Sequence, residues 1–222
     1  MIVVTSAVPS EGKTSTAANL AVVLAQLGKQ VLLVDGDLRK PRQHEVFRAG
    51  NKTGLVSFLT HGAEAEKIIF RSDIENLFLT PSGPIPPNPS ELPVRADAGV
   101  RLSSCAQFDI VVIDTAPTLA VTDGILIGSQ SDGVVLCLRA GHVQRRDAKS
   151  CRDRLVQAEV KLLGAVLNRH QAIQGRHKGG YSGTYEAYGA SGPDAPASTG
   201  GVAALDQTCS TSAPPALDRR RR

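Results

Sequence analysis

A run of β-branched residues, Ile2-Val3-Val4, leads through a turn at Pro9 into Glu11-Gly12-Lys13-Thr14, where helical periodicity begins. No other stretch restricts the fold of the chain so strongly. The apolar run, bounded by turn formers, predicts a buried parallel strand, and Ser15 to Leu27 places Ala17, Leu20, Ala21, Leu24 and Leu27 on one helical face. The loop between them follows the spacing G-x4-G-K-[ST], with Ala7 in place of the first glycine. In that geometry successive loop N–H groups and the helix N-terminus point at a phosphate, Lys13 reaches its outer oxygens, and the Thr14 hydroxyl is placed to ligate Mg²⁺. The strand before and the helix after distinguish this loop from a chance Gly-Lys-Thr.

Gly28 follows the last apolar position of that helix and marks its stop, and Val31-Leu32-Leu33-Val34 predicts a second buried strand running into Asp35-Gly36-Asp37. A right-handed crossover then brings Asp35 and Asp37 to the carboxyl edge of the sheet that holds the loop, where open α/β folds bind ligands. A third carboxylate, Asp114, ends the apolar run Phe108 to Ile113 and is expected to hold Mg²⁺ beside the loop. Arg39-Lys40-Pro41-Arg42 is a cationic knot that reads equally as a solvated loop or as a neighbour of phosphate.

Short helices are expected over Gly54 to Leu59 and Glu64 to Ile69, and strands over Leu77 to Leu79, Val134 to Leu138 and Ala165 to Leu167. A helical pattern runs through Ala148, Cys151, Leu155 and Ala158. Six of the thirteen prolines fall between Pro81 and Pro93, which predicts a stiff surface loop, with a helix starting after Asn88. The alternation predicts an α/β fold of the P-loop NTPase kind over residues 1–170, a mostly parallel β-sheet with helices on both faces. After Arg169 the composition turns to Gly, Ser, Ala, Thr and Pro without apolar periodicity, so 171–222 is expected to be a disordered C-terminal tail. All three tyrosines, Tyr181, Tyr185 and Tyr188, lie within eight residues of it.

Composition excludes several classes. The net charge of +4 equals the four arginines at 219–222, so the rest of the chain is neutral and carries no basic stripe for nucleic acid. The four cysteines lack C-x-x-C spacing, and reduced, cytosolic thiols are expected. No apolar run reaches the ~18 residues of a membrane span, and Met1 leads straight into the first strand, so the expected location is cytoplasmic.

Taken together, the sequence resembles the bacterial tyrosine kinases of capsule and exopolysaccharide synthesis. The resemblance rests on Pro9-Ser10-Glu11-Gly12-Lys13-Thr14 as Walker A, Leu32 to Asp37 as the Walker A′ of the family and Val111 to Pro117 as Walker B. Pro86 to Leu92, Val166 to Arg169 and the tyrosine cluster add to it. It implies a tyrosine autokinase that uses ATP and Mg²⁺ and phosphorylates Tyr181, Tyr185 and Tyr188. By the same resemblance Ser10, Glu11, Gly12, Lys13, Thr14 and Ser15 hold the nucleotide phosphates, with Lys13 also catalytic. Asn168 touches adenine, Asp35 accepts the tyrosine proton, and Thr14, Asp37 and Asp114 serve the metal. The implied partners are a transmembrane polysaccharide co-polymerase that recruits the kinase to the inner face of the plasma membrane, a cognate tyrosine phosphatase and further copies of the chain. The family's E-x-x-R-x-x-R oligomerisation helix would precede Met1. The competing readings are a positioning ATPase resembling MinD or ParA, and a nucleotide-binding scaffold without phosphotransfer. Val8 stands where the MinD and ParA signature has lysine, which weighs against the first.

Overall fold

Alternation of apolar side chains along each strand creates two separate faces, and the fold follows from covering both. A computed structural model describes residues 1–61, 64–85 and 108–170. The element order is β1 (Ile2–Ser6), α1 (Lys13–Gln26), β2 (Val31–Asp35), α2 (Gln43–Val46), α3 (Leu55–His61), a 3-10 turn (Ala65–Lys67), β3 (Phe70–Arg71), β4 (Leu77–Thr80), β5 (Ile110–Asp114), α4 (Asp123–Gly128), β6 (Gly133–Arg139), α5 (Arg145–Gln157) and β7 (Leu162–Asn168). Among the described residues the strands form one sheet in the order β3-β4-β2-β5-β1-β6-β7, parallel throughout except for β3 against β4. The mostly parallel P-loop architecture expected from the sequence is the one observed.

Val3, Leu32, Val34, Val111 and Ile113 face one side and pack with Ile127, Cys151 and Leu155 from α4 and α5. Val4, Val31, Leu33 and Val112 face the other and pack with Ala17, Ala18, Ala21 and Ala25 of α1. Every residue of β2 is buried, as a central parallel strand requires. Because β5 inserts between β2 and β1, Asp114 lies in register with Asp35 at the carboxyl edge, next to the loop that leaves β1.

Three expectations are corrected. Helix α1 spans Lys13–Gln26, and its buried stripe is Ala17, Ala18, Ala21 and Ala25, while Leu27 is 71% exposed. Small side chains let the helix lie close to the sheet, so alanine spacing rather than leucine spacing marks the inner face. Gly28 does stop the helix, at φ 81°, with its N–H on Ala25 and that of Lys29 on Leu24. The stretch beginning at Pro81 is not superficial at its start, since Pro81, Ser82 and Gly83 are buried and their backbone pairs with Asn51, Leu55 and Val56. The helix expected over Glu64 to Ile69 is a single 3-10 turn. Helices α2 and α4 and strand β3 carried no sequence signal. On β7, Leu163 and Leu167 are half exposed, so this end of the sheet is less covered than the centre. The helix after Asn88, the tail and its tyrosines lie outside the described residues.

The corrected α1 face and the buried β2 give a stability test. Leu33→Ala, in the core, is expected to lower unfolding free energy by about 2–5 kcal/mol in urea titrations. Leu27→Ala is expected to change it by less than about 0.5 kcal/mol. Comparable losses at the two positions would contradict this assignment of inside and outside.

Candidate active site

The loop between β1 and α1 is built to face an anion. Ser10 (φ 65°) and Gly12 (φ 88°) both adopt left-handed backbone, which turns successive N–H groups to one side as a concave nest. At Gly12 a Cβ would stand 2.7 Å from the Asn168 amide nitrogen, so conformation and space both call for glycine. Helix α1 opens directly after it, with no side-chain cap and no acidic residue in its first turn, and thus presents uncancelled positive dipole to the loop.

Glu11 braces this loop from within. It is fully buried, and its two oxygens accept the N–H groups of Val8 (2.7 Å) and Arg139 (3.1 Å), tying the loop to the end of β6. Asn168, at the end of β7, donates to the Glu11 carbonyl (2.8 Å) and to the Thr16 hydroxyl (3.2 Å). Both residues therefore act on loop shape, whatever else they touch.

Three carboxylates converge on Lys13. Its ammonium lies 2.7 Å from Asp37 Oδ2 and 4.0 Å from Asp114 Oδ1. Burial works to lower the Lys13 pKa, but Asp114 and Asp37 outweigh it and the group is held above its ordinary value. Asp37 Oδ1 accepts the N–H groups of Arg39 and Lys40, and Asp35 Oδ2 accepts those of Arg42 and Gln43. Burial, with the Asp114 charge adding to it, pushes Asp35 up to about 7. Burial pushes Asp114 up to about 6, against the opposing pull of Lys13, Thr14 and Gln43. One oxygen each of Asp35 and Asp114 is buried without a hydrogen-bond partner among the described residues.

A cavity of about 1270 Å³ opens over the loop. Of the residues expected in the site, Ser10, Glu11, Gly12, Lys13, Thr14, Ser15, Asp37 and Asn168 line it. Asp35 and Asp114 do not, being sealed behind Lys13 and Gln43. The cationic knot turns out to be part of the wall, through Arg39, Lys40 and Arg42, together with Arg139 and Arg169. The residue that sequence reasoning missed is Gln43, which has no motif around it and is recognisable only from its contacts.

The donor set suits Mg²⁺, since carboxylates with an orphaned buried oxygen and the Thr14 hydroxyl are hard oxygen ligands. Among the described residues no three acidic, histidine or cysteine groups chelate an ion by themselves.

A phosphate nest at the carboxyl edge of a parallel sheet, with lysine and aspartates behind it, defines a P-loop nucleotide-binding protein. A family model described as an AAA domain matches residues 1–145. The chain is 41% identical over 188 residues to the tyrosine-protein kinase YwqD of Bacillus subtilis, covering 84% of this chain and 79% of that one. It is 34% identical over 191 residues to the tyrosine-protein kinase CpsD of Streptococcus pneumoniae, covering 85% and 83%. Among solved structures the chimerical protein CapA2B2 superposes with a TM-score of 0.71 at 40% identity, covering 76% of this chain and 75% of that one. The kinase domain of the Escherichia coli tyrosine kinase ETK gives 0.70 at 33%, covering 81% and 71%. The cell division ATPase MinD of Pyrococcus furiosus gives 0.66 at 26%, covering 76% and 72%. The chain belongs to the family of bacterial tyrosine-protein kinases.

The raised carboxylates yield a pH prediction with a definite sign. A carboxyl whose folded pKa lies above its unfolded value contributes stability below the unfolded value and loses it as pH rises through the folded one. For Asp35 that window runs from about pH 4 to about pH 7. In metal-free buffer Asp35→Asn is therefore expected to melt higher than wild type at about pH 8, with the gap closing towards about pH 4. A gap independent of pH would contradict the buried-carboxylate assignment.

Proposed function

We propose that this protein is an ATP- and Mg²⁺-dependent tyrosine autokinase whose acceptors are Tyr181, Tyr185 and Tyr188. The observation that carries the reading is Lys13, set in a phosphate nest and surrounded by three buried carboxylates, in a chain 41% identical to a tyrosine-protein kinase. In this reading the loop N–H groups and Lys13 hold the phosphates, and Thr14, Asp37 and Asp114 hold the metal. Asn168 fixes the loop from the adenine side. Bound Mg²⁺ supplies charge neutralisation for a loose, largely dissociative phosphoryl transfer.

The tyrosine oxygen forms a bond to the γ-phosphorus, the bridging bond to the β-phosphate breaks, and ADP leaves. The phenolic proton goes to Asp35, whose elevated pKa suits a proton acceptor near neutral pH. In the structure Asp35 is sealed from the cavity. Withdrawal of Lys13 from Asp37 onto the phosphates is the step that we assign to opening the carboxylate cluster.

Tyr181 lies twelve positions beyond Arg169, a span of at most about 40 Å when extended. We assign transfer to a second copy of the chain. Each phosphotyrosine adds about −1.5 to −2 charges to a nearly neutral tract, enough for successive modifications to repel one another in an assembly. Among the described residues no helix is long and apolar enough to cross a membrane. A transmembrane polysaccharide co-polymerase is the proposed recruiter and activator, with a tyrosine phosphatase reversing the modification. The role that follows is control of exopolysaccharide or capsule polymerisation and export.

The test mixes two variants. Lys13→Met keeps its tyrosines but loses the phosphate ligand, and the competent partner carries Phe at Tyr181, Tyr185 and Tyr188. Intact-mass analysis with ATP and Mg²⁺ is expected to show phosphate on the Lys13→Met protein, at an initial rate that rises with the concentration of the other. Phosphate appearing on Lys13→Met alone would refute the role of Lys13, and no transfer at any concentration of the partner would refute the trans mechanism.

A further inference from the structure

The geometry points to Gln43 as a positioning residue that aims the buried carboxylate of Asp114 at the metal, an inference that rests on the reading above of a nucleotide–Mg²⁺ site. Gln43 opens α2 and is completely buried. Its side-chain nitrogen donates to Asp114 Oδ2 (3.1 Å) and to the Thr14 carbonyl (3.1 Å), while its backbone N–H donates to Asp35 Oδ2 (2.9 Å). One residue thus touches both sealed carboxylates and the backbone of the hydroxyl residue assigned to the metal. Both groups facing the side-chain amide are acceptors, so only its nitrogen end can point at them.

The consequence is directional. With Oδ2 of Asp114 engaged by Gln43, its Oδ1 is the oxygen left without a hydrogen-bond partner, on the side of Lys13. Oδ2 of Asp35 is engaged twice, and its Oδ1 is likewise left over. The leftover oxygens are the ones available to an incoming cation or proton. A packing role does not account for the choice of glutamine. Its carbonyl Oε1 is itself buried without a partner, a desolvation cost that Met or Leu in the same space would not carry. The donor end explains why the cost is tolerated, as with outer groups that orient metal ligands elsewhere.

Gln43→Met retains length and apolar volume but has no donor, and Gln43→Ala removes both. Binding of a fluorescent ADP analogue is measured in EDTA and again across a Mg²⁺ titration, with melting temperatures recorded alongside. Wild-type protein is expected to bind more tightly with Mg²⁺. In Gln43→Met the Mg²⁺ concentration needed for half of that gain is expected to rise roughly ten-fold or more, with affinity in EDTA near wild type and a melting temperature lowered by the two buried acceptors left without a donor. Gln43→Ala is expected to show the same metal defect with a lower melting temperature. An unchanged Mg²⁺ titration in Gln43→Met would overturn the inference, as would equal losses with and without metal. A wild-type protein that binds the analogue but gains nothing from Mg²⁺ would instead overturn the metal reading on which the inference stands.

Discussion

The Lys13 ammonium sits 2.7 Å from Asp37 and 4.0 Å from Asp114, with Asp35 paired in register beside Asp114, and the surrounding structure is arranged to hold these charges together out of water. Three carboxylates against one ammonium leave an excess of two negative charges if all ionise. Such a cluster is costly when buried, because the attraction within it must offset the lost hydration of every member. Backbone hydrogen bonds to Asp35 and Asp37 offset part of the cost, and burial raises the pKa values of Asp35 and Asp114, which favours their neutral forms. In the proposed reading, bound Mg²⁺ would supply the charge that the cluster lacks.

The same contact links the fold to the site. Aspartates reach Lys13 only because β5 lies between β2 and β1, so that strand ends remote in sequence finish at one edge. The loop carrying Lys13 is held from two directions, by Glu11 towards β6 and by Asn168 from β7. Charge, nest and helix dipole act on one region of the cavity, which is the sense in which the site is preorganised for phosphate.

Much of this was legible in the sequence, and the reasons are physical. Strand, nest and helix leave a local signature along one short stretch, so the loop through Gly12, Lys13 and Thr14 is legible in the sequence and lines the cavity as expected. Continuous apolar runs located β2, β5 and β6, and the aspartates at their ends located the carboxyl edge. Strand order is a non-local property, so the burial of Asp35 and Asp114 behind Lys13 had no sequence counterpart. Gln43 was invisible for a related reason: its partners are Thr14 and Asp114, far away along the chain. On α1 the expectation followed leucines, whereas close helix–sheet packing selected alanines, and Leu27 stayed in water. The four-residue α2 and two-residue β3 are too short to impose a period.

In the proposed mechanism Lys13 exchanges Asp37 for phosphate and thereby opens the carboxylates behind it. A crystal structure of the protein with a non-hydrolysable ATP analogue and Mg²⁺ tests this most directly. The Lys13 ammonium is then expected within hydrogen-bond distance of the terminal phosphates and no longer on Asp37. Asp35 is expected on the cavity wall, and Asp114 Oδ1 facing the metal, directly or through one water. An analogue seated on the loop with Lys13 still paired to Asp37 and Asp35 still sealed would contradict that mechanism.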